Sequence, residues 1–386
     1  TLFRSSGISG GFFINTDINK NPKYKSYGGM FGLTISTTGS DKLVTAPLSL
    51  TVIYDKDRNK LSNFIMQGDV YALYAENKED ALIKAKARFA YLNEEKEKSL
   101  TLNISVDANA DMSGEYEKLT GKKLDGPSAG DGKADMNGFD ANNSDDSGDK
   151  AEASGTRRDR ESAAKLKMGV QIPIELKFTM KPDNYVGRFD TKWHFYLGKP
   201  QSSERCVFTY LDFQVGKSSS PVYLRCKHVA DAYLCLGNEL PDNGQLPPLP
   251  TKVQEFLSTD SKVIQGRKAT VKEFQGFQGE AKGGVMLGAS ITGELALNAV
   301  VCYADIEMIA GFDLSLKKLK TAKCGDGRPA GKNGYYANGQ IYGYAFGEMG
   351  LMLNLWIFKG KLPIIEAGVG TRSEERRVGK ECTSWC

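Results

Sequence analysis

Apolar and polar residues alternate along most of this chain, which is the period of a β-strand. From Ile83 to Tyr91 every second residue is apolar, and most of the residues between them are basic, so the two kinds of side chain point to opposite faces. The alternation resumes from Leu100 to Asp107, after the polar link NEEKEK. The two segments predict a long antiparallel hairpin. A one-sided sheet needs a wet face, so we interpret the Lys/Arg row as solvated surface rather than a binding patch.

Further segments with strand character fill most of the chain up to residue 240. They are Met30–Ser36, Leu48–Tyr54, Phe64–Tyr74, Val170–Met180, Tyr185–Leu197, Val207–Val215 and Val222–Leu236. The pattern predicts an all-β, mainly antiparallel fold. We expect β-sandwich or meander modules in an elongated arrangement, with one or two short helices and a long disordered loop.

Two later blocks, residues 283–316 and 339–358, are apolar on successive positions and carry only isolated charges. This composition predicts strands with both faces at least partly covered. An alternative interpretation makes this C-terminal part a membrane β-barrel segment. The stretches Leu295–Ala304 and Met349–Phe358 have the ten-residue length of tilted spanning strands.

Two segments interrupt the strand pattern. Residues 124–165 are rich in Gly, Ser, Asp and Asn and nearly free of large apolar side chains, which predicts a mobile loop, ending in a short helix near 157–165. The connector 241–260 holds four prolines, followed by Thr251, which can cap a short helix carrying Val253, Phe256 and Leu257 on one side.

We expect the two ends of the chain to differ in origin from the rest. TLFRS at residues 1–5 and RSEERRVGKEC at residues 372–382 both resemble the translation of a sequencing adapter, so we set 1–5 and 372–386 aside as scars. We expect truncation at both ends. The remaining units are residues 6–123 and 166–240 as two parts of a β-rich domain, and 261–371 as a truncated C-terminal β-rich module.

Charge and hydropathy argue against nucleic-acid binding and against a transmembrane helix. The adapter-like ends carry five basic and three acidic residues, so removing them lowers the formal net charge from +4 to +2. A nucleic-acid binder normally carries a clustered basic excess, and we expect no nucleic acid. No stretch of eighteen apolar residues is present, so we predict no transmembrane helix.

Metal and disulfide chemistry gives only weak candidates. The best calcium candidate is the series Asp107, Asn109 and Asp111, although the alternating apolar residues between them also suit the outer face of a strand. A calcium loop would close with Glu where Lys118 stands. The disulfide candidates show no zinc-type spacing, and their odd number leaves a free thiol or a partner outside the chain. They are Cys206, Cys226, Cys235, Cys302 and Cys324.

Catalytic signatures are missing from the sequence. The two histidines, His194 and His228, each lie in a strand pattern, and there is no GxSxG, HExxH or phosphate-binding loop. We therefore predict a non-catalytic protein without a cofactor. An enzyme acting on carbohydrates through scattered carboxylates is the remaining catalytic alternative.

A spaced series of short motifs resembles a known family. ELPDNGQLPPLPTKVQEFL is followed by GGVMLGASITGELAL, FDLSL, a lone Cys before Gly, and NGYYANGQIYGYAFGEMGL. Over about residues 220–365 this series resembles the TANFOR-type region of very large envelope proteins from Bacteroidetes. The resemblance implies an exported, cell-surface, periplasmic or secreted protein with a structural or adhesive role. It implies partners among other domains of the same longer chain, surface glycans or envelope proteins, and it supplies no catalytic residues.

Overall fold

A computed structural model shows a chain built almost entirely of β-strands. It describes residues 3–16, 25–37, 44–56, 58–73, 81–94, 96–111, 164–182, 189–216, 218, 222–263, 281–319, 335–354 and 359–377. The statements below refer to these residues. The loop predicted at 124–165 lies outside them, except for residues 164 and 165, which begin a strand rather than end a helix.

Fourteen strands follow one another along the chain. They are β1 (Phe3–Thr16), β2 (Lys25–Thr37), β3 (Val44–Asp55), β4 (Lys60–Ala72), β5 (Ile83–Asn93), β6 (Lys98–Asp111), β7 (Ala164–Pro182), β8 (Phe189–Leu197), β9 (Cys206–Val215), β10 (Val222–Gly237), β11 (Ala281–Ala299), β12 (Cys302–Leu319), β13 (Tyr335–Asn354) and β14 (Lys359–Arg377). One α-helix, α1 (Thr251–Val263), lies between β10 and β11. Within the described ranges, no helix is both long and apolar enough to cross a bilayer.

All fourteen strands belong to one antiparallel sheet, so the all-β, antiparallel prediction is confirmed and the meander is the arrangement seen. Nearly every strand pairs with its neighbours in sequence. Among the described strands the exception is β8 and β9, which do not pair each other: the long strand β7 pairs β8 along one half and β9 along the other. The strand β10 pairs both β8 and β9 along one edge and pairs β11 along the other. The hairpin predicted around NEEKEK is β5 and β6, with Ala87 opposite Ile104.

Register places apolar residues together on one side across the sheet. Residues directly opposite each other in a ladder share a face, and the apolar positions meet from strand to strand. Leu48 lies opposite Gly68, which lies opposite Ala87, and Ile104 lies opposite both Ala87 and Ile174. We call this side the apolar face. The other side, which holds Lys86, we call the polar face.

The connector and α1 cover one end of the polar face. Leu249 and Val253 form a buried cluster with Ile309 and Tyr342 of the sheet. The ring of Phe256 packs edge-on against Tyr344, with centroids 5.2 Å apart. A Cβ at Gly368 or Gly370 would lie 2.6 Å from the Phe256 ring, so these glycines of β14 make room for the helix. The helix predicted from Thr251, with Val253 on its packed side, is confirmed.

The prediction that both faces of residues 283–316 are at least partly covered is confirmed for the polar face. The turn Pro241–Gly244 and the connector lie on the polar face, where Ser315 donates to the Gly244 carbonyl at 2.6 Å and Gln340 donates to the Pro247 carbonyl at 2.9 Å. The apolar face has no such cover there. In the described part of the chain Ile291 remains 55% exposed, because the connector crosses only one side of the sheet.

Candidate functional site

The apolar face is long and free of charge over most of the sheet. On β12 it consists of Ala304, Ile306, Met308, Ala310, Phe312, Leu314 and Leu316. At about 3.3 Å per residue this run covers about 40 Å. At the tilt of about 40° that is usual for membrane-spanning strands, such a run would be about 30 Å high, which is the thickness of the hydrocarbon core of a bilayer.

These apolar side chains are open to solvent. Met308 is 57% exposed, Ile341 of β13 is 63% exposed, and Phe12 of β1 is 98% exposed. Soluble proteins rarely expose apolar patches beyond a few hundred Å². A face of this kind, running from β1 to β14, needs a covering partner.

Aromatic side chains gather near one border of the apolar face. Tyr27 lies opposite Tyr54, and Phe178 lies opposite Trp193. Trp193 is 43% exposed. Aromatic rings are enriched where the apolar band of a membrane strand meets water, because they combine an apolar body with a polar edge.

The same border carries a basic side chain next to an aromatic one. Lys318 lies opposite Tyr335, and its Nζ is 5.4 Å from the centroid of the Tyr335 ring. A lysine at this position can lay its methylene stem along apolar neighbours while its ammonium reaches water. The border therefore has the amphipathic character of an interface between an apolar layer and water.

The polar face holds a buried network centred on Arg205. Its guanidinium donates to Asp231 at 3.0 Å, to Asp313 at 2.9 Å and to the Pro200 carbonyl at 3.0 Å. Gln340 donates to the second oxygen of Asp313 at 2.9 Å. Burial raises the pKa of Asp313, and the guanidinium opposes that shift. The network joins β10, β12 and β13 to the segment before β9.

A second polar cluster is built around His194. Its Nε2 lies 3.1 Å from Glu175 and its Nδ1 lies 3.2 Å from Glu239, while the ring stacks on Tyr196 with centroids 4.1 Å apart. The hydrogen bond from His194 lowers the pKa of Glu175, and Lys199 acts in the same direction. This cluster ties the chain after β10 to β7 and β8.

A groove of about 630 Å³ crosses the polar face from β3 to β8. Its polar lining includes Gln67, Asp69, Lys86, Arg88, Asn103 and Gln171, and Ser203 and Glu204 lie at one end. The basic row predicted as solvated surface therefore lines a concave site. Sequence periodicity could place Lys86 and Arg88 on one face. The concave shape of the site depends on the turn Ser202–Glu204 before β9, which periodicity does not predict.

The calcium candidates lie in β6. Asp107 faces Lys84 across the ladder, and burial raises the pKa of its carboxyl group while Lys86 and Lys84 oppose this shift. Asp107 and Asn109 are alternate residues of this strand, about 6.6 Å apart along its polar face. The side chain of Asp111 lies outside the described residues. Calcium binding stays a prediction.

None of the four described cysteines forms a disulfide, and Cys324 lies outside the described ranges. Cys206 and Cys235 are buried, Cys226 is partly buried and Cys302 is exposed. Burial raises the pKa of Cys206 to about 11 and that of Cys235 to about 12. Both thiols donate to carbonyl groups, Cys235 to Gly198 at 3.5 Å and Cys206 to Pro173 at 3.8 Å. In this structure both serve as core side chains.

No group of three or more His, Cys, Asp or Glu side chains suited to a metal ion occurs in the described residues. Of the two histidines, His194 lies in the cluster described above, and His228 lies opposite Gly293 in β11. Comparison with protein-family models, with curated proteins and with solved structures finds no match to this chain.

Proposed function

We propose that this chain is a non-catalytic module of an exported envelope protein, and that its apolar face lies among lipid acyl chains. One observation carries the proposal. Large apolar side chains such as Ile306, Met308 and Ile341 are about half exposed on a face where the described residues include no Asp, Glu, Lys or Arg between the borders. The resemblance over residues 220–365 supports the envelope location.

The distribution of polarity supports lipid as the covering partner. In a soluble sheet protein the apolar face is buried and the polar face is wet. Here the polar face holds the buried network, with Arg205 at 6% and Asp313 at 2% exposure, while the apolar face is open. Burial of apolar area contributes about 25 cal/mol per Å², so lipid contact over this face is strongly favourable.

The sheet edges set a condition on insertion. In the described chain β1 pairs only β2 and β14 pairs only β13. Unpaired backbone groups are not tolerated within lipid. Insertion therefore requires that the two edges pair with each other or with strands of other domains in the longer chain.

Tryptophan quenching by brominated phosphatidylcholine vesicles tests the proposal. Three single-tryptophan proteins are compared, each with Trp356 and Trp385 replaced by Phe. The first keeps Trp193 at the border; the other two carry Trp193→Phe with either Met308→Trp on the apolar face or Lys177→Trp on the polar face. We expect deep bromines to quench the tryptophan at 308 most, and shallow bromines to quench Trp193 most.

The polar-face variant is the matched control for Trp193, because Lys177 lies opposite His194, the residue next to Trp193. The tryptophan at 177 should remain at least fivefold less quenched by shallow bromines than Trp193. Equal quenching of these two positions, or no quenching at 308 in vesicles that hold the protein, would contradict the lipid-facing assignment. Circular dichroism of each variant confirms that the strand content is retained.

The second candidate is a structural or adhesive module on the cell surface, without lipid contact. The free edges of β1 and β14 favour it, because each offers backbone groups for pairing with other domains of the same chain. Sedimentation without detergent separates the two candidates. A monodisperse detergent-free chain supports the surface module, whereas aggregation that lipid or detergent reverses supports the membrane-embedded one.

A further inference from the structure

The groove on the polar face holds two basic side chains that form no direct ion pair among the described residues. Lys86 and Arg88 are adjacent on this face of β5, and both line the groove. Among the described residues neither makes an ion pair or a side-chain hydrogen bond, although Asp69 lies directly opposite Lys86 in the ladder. The groove thus offers two cations to a ligand.

Lys86 and Arg88 lie in two rows of polar side chains that cross the sheet. Gln67, Arg88 and Asn103 lie opposite one another in one row, and Asp69, Lys86 and Ser105 in the next. Within the described ranges, the amide groups of Gln67 and Asn103 have no side-chain hydrogen bond. Amides and hydroxyls both donate and accept, which suits a ligand rich in hydroxyl groups.

The third basic residue of the groove is already neutralised. Lys199 lies 2.9 Å from Glu204 and 3.4 Å from Glu175, so that end of the groove has no surplus positive charge. Lys86 and Arg88 share the other end with Asp69, and the whole lining is balanced at three basic and three acidic side chains. A guanidinium recognises a carboxylate in a planar, two-bond geometry, and the adjacent row offers partners for hydroxyls.

We propose that this groove binds a saccharide that carries a carboxylate, with Arg88 and Lys86 holding the carboxylate and Gln67 and Asn103 binding hydroxyl groups. The site lies on the polar face, which is wet whether or not lipid covers the apolar face. It therefore goes beyond the proposed function, and its failure is distinguishable from failure of the lipid assignment.

Isothermal titration of the full chain with a galacturonic acid trimer tests this site. The uncharged counterpart, in which the carboxyl groups are reduced, and inorganic phosphate serve as comparison ligands. We expect saturable binding of the trimer, at least tenfold weaker binding of the reduced form, and tenfold or greater weakening by Arg88→Gln. Asn103→Ala should weaken trimer binding severalfold.

Lys84→Gln is the matched control, because Lys84 is a cation on the same strand and face but does not line the groove. It should change the affinity less than twofold. Absence of saturable binding, equal binding of the reduced trimer, or phosphate binding as tight as that of the trimer would each overturn the proposal. Arg88 is exposed, so Arg88→Gln should fold, and an unchanged circular dichroism spectrum verifies this.

Discussion

Arg205 and Asp313 lie 108 positions apart in the chain, and the guanidinium of the first donates to the carboxylate of the second at 2.9 Å. The side chain of Asp313 is 1% exposed and that of Arg205 is 7% exposed. Breaking a buried pair leaves a charge without water or counterion, which is far costlier than losing a surface pair. This contact fixes β12 against the segment that precedes β9.

Replacing Arg205 should therefore destabilise the fold strongly. We expect Arg205→Met to lower the free energy of unfolding by about 3–5 kcal/mol, because Asp231 and Asp313 lose their shared cation. Urea titration followed by circular dichroism measures the change. Lys181→Met, at the exposed pair with Glu97, should leave the urea midpoint almost unchanged, because water screens this pair. Equal effects of the two substitutions would refute a buried network.

Gly288 should tolerate no side chain. A Cβ there would lie 2.4 Å from an oxygen of Asp313 and 2.6 Å from the Tyr233 ring. We expect Gly288→Ala to cost about 1–3 kcal/mol through forced displacement of the network. Gly347→Ala is the control, because a Cβ at Gly347 meets nothing within 4 Å. Thermal unfolding of both variants checks this, and a neutral Gly288→Ala would contradict the packing.

The cluster around Glu175 predicts a stability loss in acid. The pKa of Glu175 is lowered in the folded state, so its contribution is present above its ordinary pKa of 4.5 and is lost as pH falls through the folded value. The groups facing this carboxylate are His194 and Lys199, and Glu239 lies across the imidazole.

Glu175→Gln should remove this acid-dependent component. We expect the stability of the variant to fall less steeply than that of the parent chain below pH 4.5. Urea titrations at pH 3, 4, 5 and 7 measure the slope. The opposite sign, a variant that loses stability more steeply in acid, is incompatible with a lowered pKa. Glu97→Gln offers a control at an exposed carboxylate.

The cysteines should react with alkylating reagents at different rates, because their exposure to solvent differs. Cys302 is exposed, whereas Cys206 and Cys235 are buried with pKa values of about 11 and 12. Because the thiolate is the reactive species, we expect iodoacetamide at pH 8 to label Cys302 at least tenfold faster than either buried thiol. Peptide mass spectrometry resolves each site. Labelling of Cys206 at the rate of Cys302 would disprove the buried environment.

Local sequence patterns predicted strands and the helix, whereas contacts between residues far apart in the chain depend on how the strands pair. The alternation from Ile83 to Tyr91 predicted β5, and prolines followed by Thr251 predicted α1. No local pattern predicts that Asp313 meets Arg205, since that contact depends on the pairing of every strand between them. The same holds for the groove beside Lys86, which needs the turn before β9. The strand β14 extends to Arg377 and so includes adapter-like residues. Its apolar alternation ends at Val369, because Thr371 and Ser373 occupy the next positions on that face.

A charge placed on the apolar face separates the two candidate functions. In water Met308 is an exposed position, 57% open, where Met308→Arg should change the free energy of unfolding by less than about 0.5 kcal/mol. In a bilayer an arginine near the midplane costs about 2–4 kcal/mol. Met308 lies near the middle of the apolar run on β12, so we expect the larger cost when unfolding is measured from phosphatidylcholine vesicles.

The matched substitution is Thr292→Arg, on the polar face of the adjacent strand. Thr292 lies opposite Ile309 of β12, one residue after Met308, so both variants add the same charge at nearly the same height. Only Met308→Arg should show a cost that appears in vesicles and disappears in detergent-free buffer. If both variants respond alike in vesicles, water reaches both faces at this height, and the surface module becomes the function that the sheet supports.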